Sequence, residues 1–190
     1  QDNVPSQPTL NTFWSGSKSI NTNGNQFSVI NNPILTGLTS FSIAWVGQFD
    51  VVTGGPKVAF NFGNYALNGF DFNANRNSTG KFGVWQSTIS HNDTTKSADT
   101  NAHFVTIKYN ASGNPKWTVI MDGVPLTMSF PNLSLTMPTT RTIFAGVTGT
   151  NATFSMNGNT GLWLVCSGIW DQATEDFIRD NAKFSWGLLP

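Results

Sequence analysis

The chain has 190 residues, ten Lys and Arg balanced by ten Asp and Glu, and only 11% charged residues, against about 25% in ordinary soluble domains. Zero net charge, with the basic residues scattered singly, excludes the electrostatic footprint of a nucleic-acid or anionic-membrane binder. No apolar run approaches the ~20 residues of a membrane-spanning helix, so membrane insertion is not expected.

With 38% hydrophobic residues and 18 Gly, the length suits one domain with a sizeable core and many turns. Cys166 is the only cysteine, which rules out an internal disulfide or a Cys-rich metal site. Within the apolar run Leu162 to Cys166 it reads as a small buried hydrophobe. A start at Gln1 reads as a processed terminus or a piece of something longer.

Residues 1–15, with Pro5 and Pro8 among polar neighbours, read as an arm or linker ahead of a domain spanning 16–190. Short β-type runs then recur between turn residues. The stretch 41–49 puts Phe41, Ile43, Trp45 and Phe49 on one face, with Ser42, Ala44 and Gln48 on the other. Val58, Phe60 and Phe62 share a face in 57–63. Phe70 and Phe72 do so in 70–75, turning Asp71 and Asn73 outward. Phe82 and Val84 set the core parity of 81–88, which leaves Trp85 opposite. Further strands are expected at 103–109, 117–121, 142–147 and 162–170.

Asn110 to Pro115 forms a hairpin loop, because Gly and Asn accept positive φ and Pro115 cannot donate to a ladder. Asp122-Gly123 forms a second tight turn. Only 171–183 reads as helical, capped by Asp171 or Thr174 and carrying a short apolar face of Phe177 and Ile178. The expectation is an all-β, antiparallel two-sheet jelly-roll sandwich with one short C-terminal helix.

Three stretches carry a family resemblance: "FSIAWVGQF", "AHFVTIKYNASGNPKWTVIMDGVPL" and "GLWLVCSGIWDQATEDFIRDNA". Their order resembles the concanavalin A-like lectin/glucanase superfamily, in particular its laminin-G-like members. The likeness implies two curved sheets, with sugars held on the concave face or by loops at one edge. Similar domains occur on phage tail fibres, on virion surfaces and on secreted carbohydrate-active enzymes. The implied location is therefore extracellular or a virion surface, and the implied partners are a glycan or polysaccharide, with other copies of the chain or virion proteins.

Hydrolases of this superfamily use a pair of carboxylates around the scissile bond. This chain has one glutamate, Glu175, expected in the first turn of the helix, away from any sheet face and favouring the helix dipole. The lyases of the fold use a His and a Tyr. His103 and Tyr109 share a strand face with Val105 and Ile107, which reads as core or edge placement. No catalysis is expected, and no cofactor. No D-x-D-x-D-G run exists, although relatives that hold Ca²⁺ with scattered Asp leave a structural site through Asp50 or Asp71 open.

A sugar site combines an exposed aromatic with planar amides or carboxylates. Trp85 fits, as does Trp163, out of phase with Leu162, Leu164 and Cys166. Asp71, Asn73 and Asn61 share the non-core parity of their strands. Arg141 can donate in a fork, and His91 lies in a polar loop. The five N-x-S/T sequons carry no information in a chain so rich in Asn, Ser and Thr. The reading is a non-catalytic, lectin-like adhesion domain. Its rivals are a structural or assembly domain that binds only protein and, third, a polysaccharide-degrading enzyme.

Overall fold

The computed structural model describes residues 9–12, 18–23, 28–30, 34–64, 68–75, 78–86, 90–137, 142–144 and 156–186. In chain order the strands are β1 (Thr9–Thr12), β2 (Lys18–Asn23), β3 (Ser28–Ile30), β4 (Ser40–Phe49), β5 (Lys57–Asn64), β6 (Asn68–Ala74) and β7 (Lys81–Gln86). They continue as β8 (Ser90–Ser97), β9 (Ala102–Asn110), β10 (Trp117–Met121), β11 (Val124–Leu126), β12 (Thr142–Phe144) and β13 (Asn157–Ser167), and α1 (Gln172–Trp186) closes the chain. A seven-stranded sheet runs β1-β2-β13-β4-β9-β10-β11, and a six-stranded sheet runs β3-β12-β5-β6-β7-β8. All pairings are antiparallel. The all-β sandwich with a C-terminal helix is the expected architecture. β1 lies within the stretch that reads as an arm, and it pairs with β2.

Aromatic rings hold the layers together. Phe41 and Trp45 of β4, Trp117 of β10 and Trp163 of β13 face Phe60, Phe62, Phe70, Phe72 and Phe82 of the other sheet. Ring centroids lie 5.4 Å apart for Phe41 and Phe70, 5.2 Å for Phe70 and Trp117, and 4.6 Å for Phe60 and Trp163. Offset and edge contacts of this kind add about 0.5–1.5 kcal/mol per pair to the area they bury. The alternation in β4, β6 and β7 therefore translates directly into facing.

β5 and β13 break that rule. A bulge between Val58 and Phe60 brings Ala59 into the core beside Phe60 and Phe62 and turns Val58 out of that cluster. In β13, Trp163 and Val165 face the inter-sheet core, while Leu162 belongs to a second cluster under α1. The expected facing of Trp163 is thus reversed. Cys166, expected to be buried, is exposed on the outer side of the strand.

α1 lies on the outer face of the seven-stranded sheet. Asp171 caps it by accepting from Thr174 N at 2.8 Å. Its sheet-facing residues are Ile178, Ala182 and Trp186, against Ala44, Val46, Phe104 and Leu162. Phe177, expected on this face, points elsewhere. Gly161 at the β13 bulge lets Trp186 lie close against the strand, since a Cβ there would fall 2.2 Å from Trp186 Nε1 and the indole would have to shift. Glu175 also points at the sheet, contrary to expectation. It is fully buried and meets Lys108 Nζ of β9 at 2.5 Å, while the same ammonium donates to Trp170 O at 3.2 Å.

The hairpin loop between β9 and β10 forms as expected, with Ser112 N donating to Asn110 Oδ1 at 3.1 Å. Asp122 and Gly123 both take positive φ, 54° and 84°, which makes the two-residue turn between β10 and β11. Beyond β11 the chain crosses to the other sheet: Thr95 N donates to Thr127 O and Ser129 N to Asp93 O. Leu135 N then reaches the Tyr109 hydroxyl at 3.0 Å, so Tyr109 is a core residue that fastens the strap across this end.

Lys108→Met strands the Glu175 carboxylate without its cation and should cost about 3–5 kcal/mol in chemical denaturation. Lys108→Met combined with Glu175→Leu should recover most of that loss. A double mutant no better than the single would show that the ion pair is not what fastens the helix.

Candidate functional site

The six-stranded sheet assembles most of the residues selected from the sequence. Asn61 of β5 stands opposite Asp71 of β6, Asp71 opposite Trp85 of β7, and Trp85 opposite backbone position His91 of β8. These four make one row across four adjacent strands. Asn73 sits two residues along β6 on the same face, opposite Gly83. The phenylalanines at 60, 62, 70, 72 and 82 fill the inter-sheet core, so strict alternation puts the row on the sheet's other side.

This face is not the open, wet surface that alternation suggests. Asn61, Asp71 and Asn73 are fully buried, and Trp85 alone of the described side chains in the row is partly exposed, with its indole Nε1 buried. Asn73 Nδ2 donates to Asp71 Oδ1 at 2.5 Å, and Asn61 Nδ2 donates to Phe70 O at 3.1 Å. Asn61 Oδ1 is buried and has no hydrogen-bond partner among the described residues. A buried acceptor left open this way is costly unless a water or a ligand hydroxyl fills it.

Trp163 does not join the row, because its ring is wedged against Phe60 and Phe62 in the core. Arg141 lies outside the described residues, and His91 is described by its backbone alone, within β8 rather than in a loop. Among the described residues no three His, Cys, Asp or Glu side chains come together as a cation site. Asp71 is engaged by Asn73, and Asp50 is exposed at the end of β4.

A groove of about 400 Å³ opens at the end of the sandwich, between β10, the residues following Pro125 and the strap. Asn114, Pro115, Thr118, Pro125, Pro131 and Asn132 are among its lining residues. That volume suits a small ligand, since such pockets run from about 300 to 1,000 Å³.

Sequence reasoning missed one polar cluster. His103, 4% exposed, lies between two carboxylates: Nδ1 donates to Asp122 Oδ2 at 2.7 Å and Nε2 to Asp99 Oδ1 at 2.8 Å. Asp122 is itself held by Phe104 N at 2.9 Å, and Lys96 reaches Asp99 at 3.3 Å. The imidazole thereby ties the β8–β9 connection to the Asp122-Gly123 turn. The signal was present as His103 four residues after Asp99, but the turn aspartate is brought in only by strand pairing. Burial alone would lower the pKa of His103, and bonding to Asp122 and then Asp99 outweighs it, so the pKa is raised above the ordinary value of 6.5. For Asp99, burial pushes upward, but bonds from Asn101 N and His103, with the charges of His103 and Lys96, leave its pKa below the usual 3.8.

No protein-family model matches the sequence, and no curated protein does. Solved structures do match in fold. Domain 4 of AbnA, a GH43 extracellular arabinanase from Geobacillus stearothermophilus solved in complex with arabinotriose, aligns with TM-score 0.67 at 14% identity, over 90% of this chain and 81% of that one. A structure of botulinum neurotoxin type C, whose cell entry is dependent upon interaction with two ganglioside molecules, aligns with TM-score 0.63 at 14% identity, over 93% and 45%. Trypanosoma rangeli sialidase aligns with TM-score 0.61 at 11% identity, over 89% and 28%. The chain thus spans under a third of the sialidase and under half of the toxin chain. At these identities the likeness establishes the β-sandwich fold, in company that includes carbohydrate-binding and glycoside-hydrolase proteins.

The raised pKa of His103 contributes stability that is fully present below about pH 6.5 and is lost as pH rises through the folded-state value. The lowered pKa of Asp99 contributes stability present above about pH 3.8 and lost as pH falls through its folded value. Denaturant midpoints should therefore decline from pH 6 toward pH 9 in the wild type, and His103→Gln should flatten that decline. Equal slopes in both proteins would contradict the clamp.

Proposed function

We propose that this chain is a non-catalytic glycan-binding module, a concanavalin A-like domain of laminin-G-like kind, acting as an adhesion domain outside the cell or on a virion surface. The observation that carries the reading is the cross-strand row of Asn61, Asp71 and Trp85, which sets a partly exposed indole beside buried amides and a carboxylate. An indole face takes the C–H face of a pyranose, and planar amides and carboxylates match hydroxyl pairs. In this reading Trp85 makes the contact, and the Asp71–Asn73 pair with Asn61 holds the sheet surface behind it. The ganglioside dependence of the neurotoxin and the arabinotriose bound to the arabinanase domain, both structural neighbours, support the same class. Low charge and a surface rich in Asn and Thr support an exterior location.

Absence of catalysis is part of the proposal. Glycoside cleavage needs two carboxyl groups about 5–9.5 Å apart around the bond. The one glutamate lies beneath α1 against Lys108, and Asp71 is bonded to an amide. No metal is assigned to binding.

The groove at the sandwich end is a second location for the same function, favoured by its volume and its amide and proline lining. Paired variants on a glycan array separate the two. Trp85→Ala should weaken binding by about 2 kcal/mol or more, roughly thirtyfold, with the fold retained, and Trp85→Phe should recover part of it. Thr118→Trp, which fills the groove, should leave binding unchanged. The reverse pattern moves the site to the groove. Binding should survive a chelator, and new reducing ends or unsaturated products from any polysaccharide would overturn the non-catalytic reading.

A further inference from the structure

α1 uses one side to dock on the sheet and leaves an apolar stripe on another. Phe177 and Phe184 are 71% and 93% exposed. They stand seven residues apart, about two turns, and so lie on one line along the helix. Leu164 on β13 and Ile169 in the β13–α1 connection are exposed as well. Between helix and strand, Leu162, Leu164, Phe177, Ile178 and Trp186 help line a cleft of about 180 Å³. Single exposed hydrophobics need no explanation, but two phenylalanines this exposed on one line of a helix, with an apolar cleft between Phe177 and Leu164, mark a contact surface.

The charges on the helix narrow the choice of partner. Asp176 and Lys183 each precede one phenylalanine of the stripe and are likewise seven residues apart. Asp176 pairs within its own chain with Arg179 at 2.7 Å, whereas Lys183 has no ion pair with any described residue. When a copy of α1 is laid antiparallel against this one, about a two-fold axis near Asp180 and Asn181, Phe177 comes opposite Phe184 of the second copy. The same operation brings Asp176 close to Lys183 of the second copy. The surface is self-complementary in both apolar and charged groups, which is the property of an isologous contact.

We propose that two copies of this chain pair through α1 and the outer face of β13. An aromatic side chain buries about 150–250 Å². The two phenylalanines with Leu164 and Ile169 therefore supply roughly 400–500 Å² of apolar surface per copy. Doubled, that is about 900 Å², and the polar rim of Asp176, Asp180, Asn181 and Lys183 brings it near the 1,200 Å² or so of a small specific interface. Pairing by this route leaves the Trp85 row of both copies uncovered, because that row lies on the other sheet. The inference does not depend on the glycan reading, although two sites in one particle would raise avidity for a repeating ligand.

Sedimentation velocity tests it. The wild type should show a monomer–dimer equilibrium over concentrations on the order of 1–100 µM. Phe184→Glu, at a position already in solvent, should sediment as a monomer with an unchanged melting curve. Asp176→Lys and Lys183→Asp should each weaken the dimer by about tenfold or more. Combining the two reversals should restore it, because the swapped charges again meet across the axis and not within one chain. A wild type that stays monomeric throughout overturns the proposal and leaves the face to a different protein. A dimer indifferent to Phe184→Glu, or one not rescued by the double reversal, overturns it equally.

Discussion

The stacked aromatic layer between the two sheets is the constraint on which the rest depends. Rings from β4, β10 and β13 interlock with rings from β5, β6 and β7, and a strand shifted by one residue would turn its whole set out of the core. Register is therefore fixed by packing. Once it is fixed, every residue of opposite parity is committed to an outer face. The row of Asn61, Asp71 and Trp85 is a consequence of where Phe60, Phe62, Phe70, Phe72 and Phe82 must go. In the other sheet the same logic puts Ala44, Val46, Phe104 and Leu162 outside, and their apolar character calls for the cover that α1 provides.

In a chain with so few charges, two buried ionic clusters sit at joints between elements, whereas Asp71 is buried mid-strand against Asn73. Lys108 with Glu175 fastens the helix to β9. His103 with Asp99 and Asp122 fastens two loops at one end of the sandwich. Both are arrangements in which loss of one member strands a desolvated partner. Neither lies in the Trp85 row, so the ionic groups that secure the fold are separate from the residues proposed to face a ligand.

Much of this was legible in the sequence where one face of a strand is aromatic and the other is not. β4 and β6 read correctly for that reason, and β7 and β9 did so although Trp85 and Phe104 put an aromatic on the second face. The Asp122-Gly123 turn takes the positive φ its residues suit, whereas the Asn110 to Pro115 loop forms without any. β13 misled because α1 covers its outer face at Leu162 while the opposing sheet covers its inner face, so Leu162 and Trp163 are equally apolar cues. β5 misled through a bulge, which leaves no trace in composition. β8 went unseen because Ser90 to Ser97 is polar throughout, as suits an edge strand that must resist pairing with other chains. The parity of Asn61, Asp71 and Asn73 was legible, but their burial was not, since it depends on what else lies over that face. Glu175 was placed on the right turn of the helix, yet its direction depends on Lys108, a partner 67 positions earlier (175 minus 108).

The central claim is that packing of the aromatic layer leaves Trp85, alone among the described side chains of its row, available to a ligand. Indole N–H resonances of the uniformly ¹⁵N-labelled protein, followed as an oligosaccharide selected on the glycan array is added, test it directly. The account predicts that the Trp85 signal shifts on titration while those of Trp45 and Trp117, sealed in the core, stay in place. A Trp85 signal that does not move while the backbone amides of Thr118 and Asn132 do would contradict it.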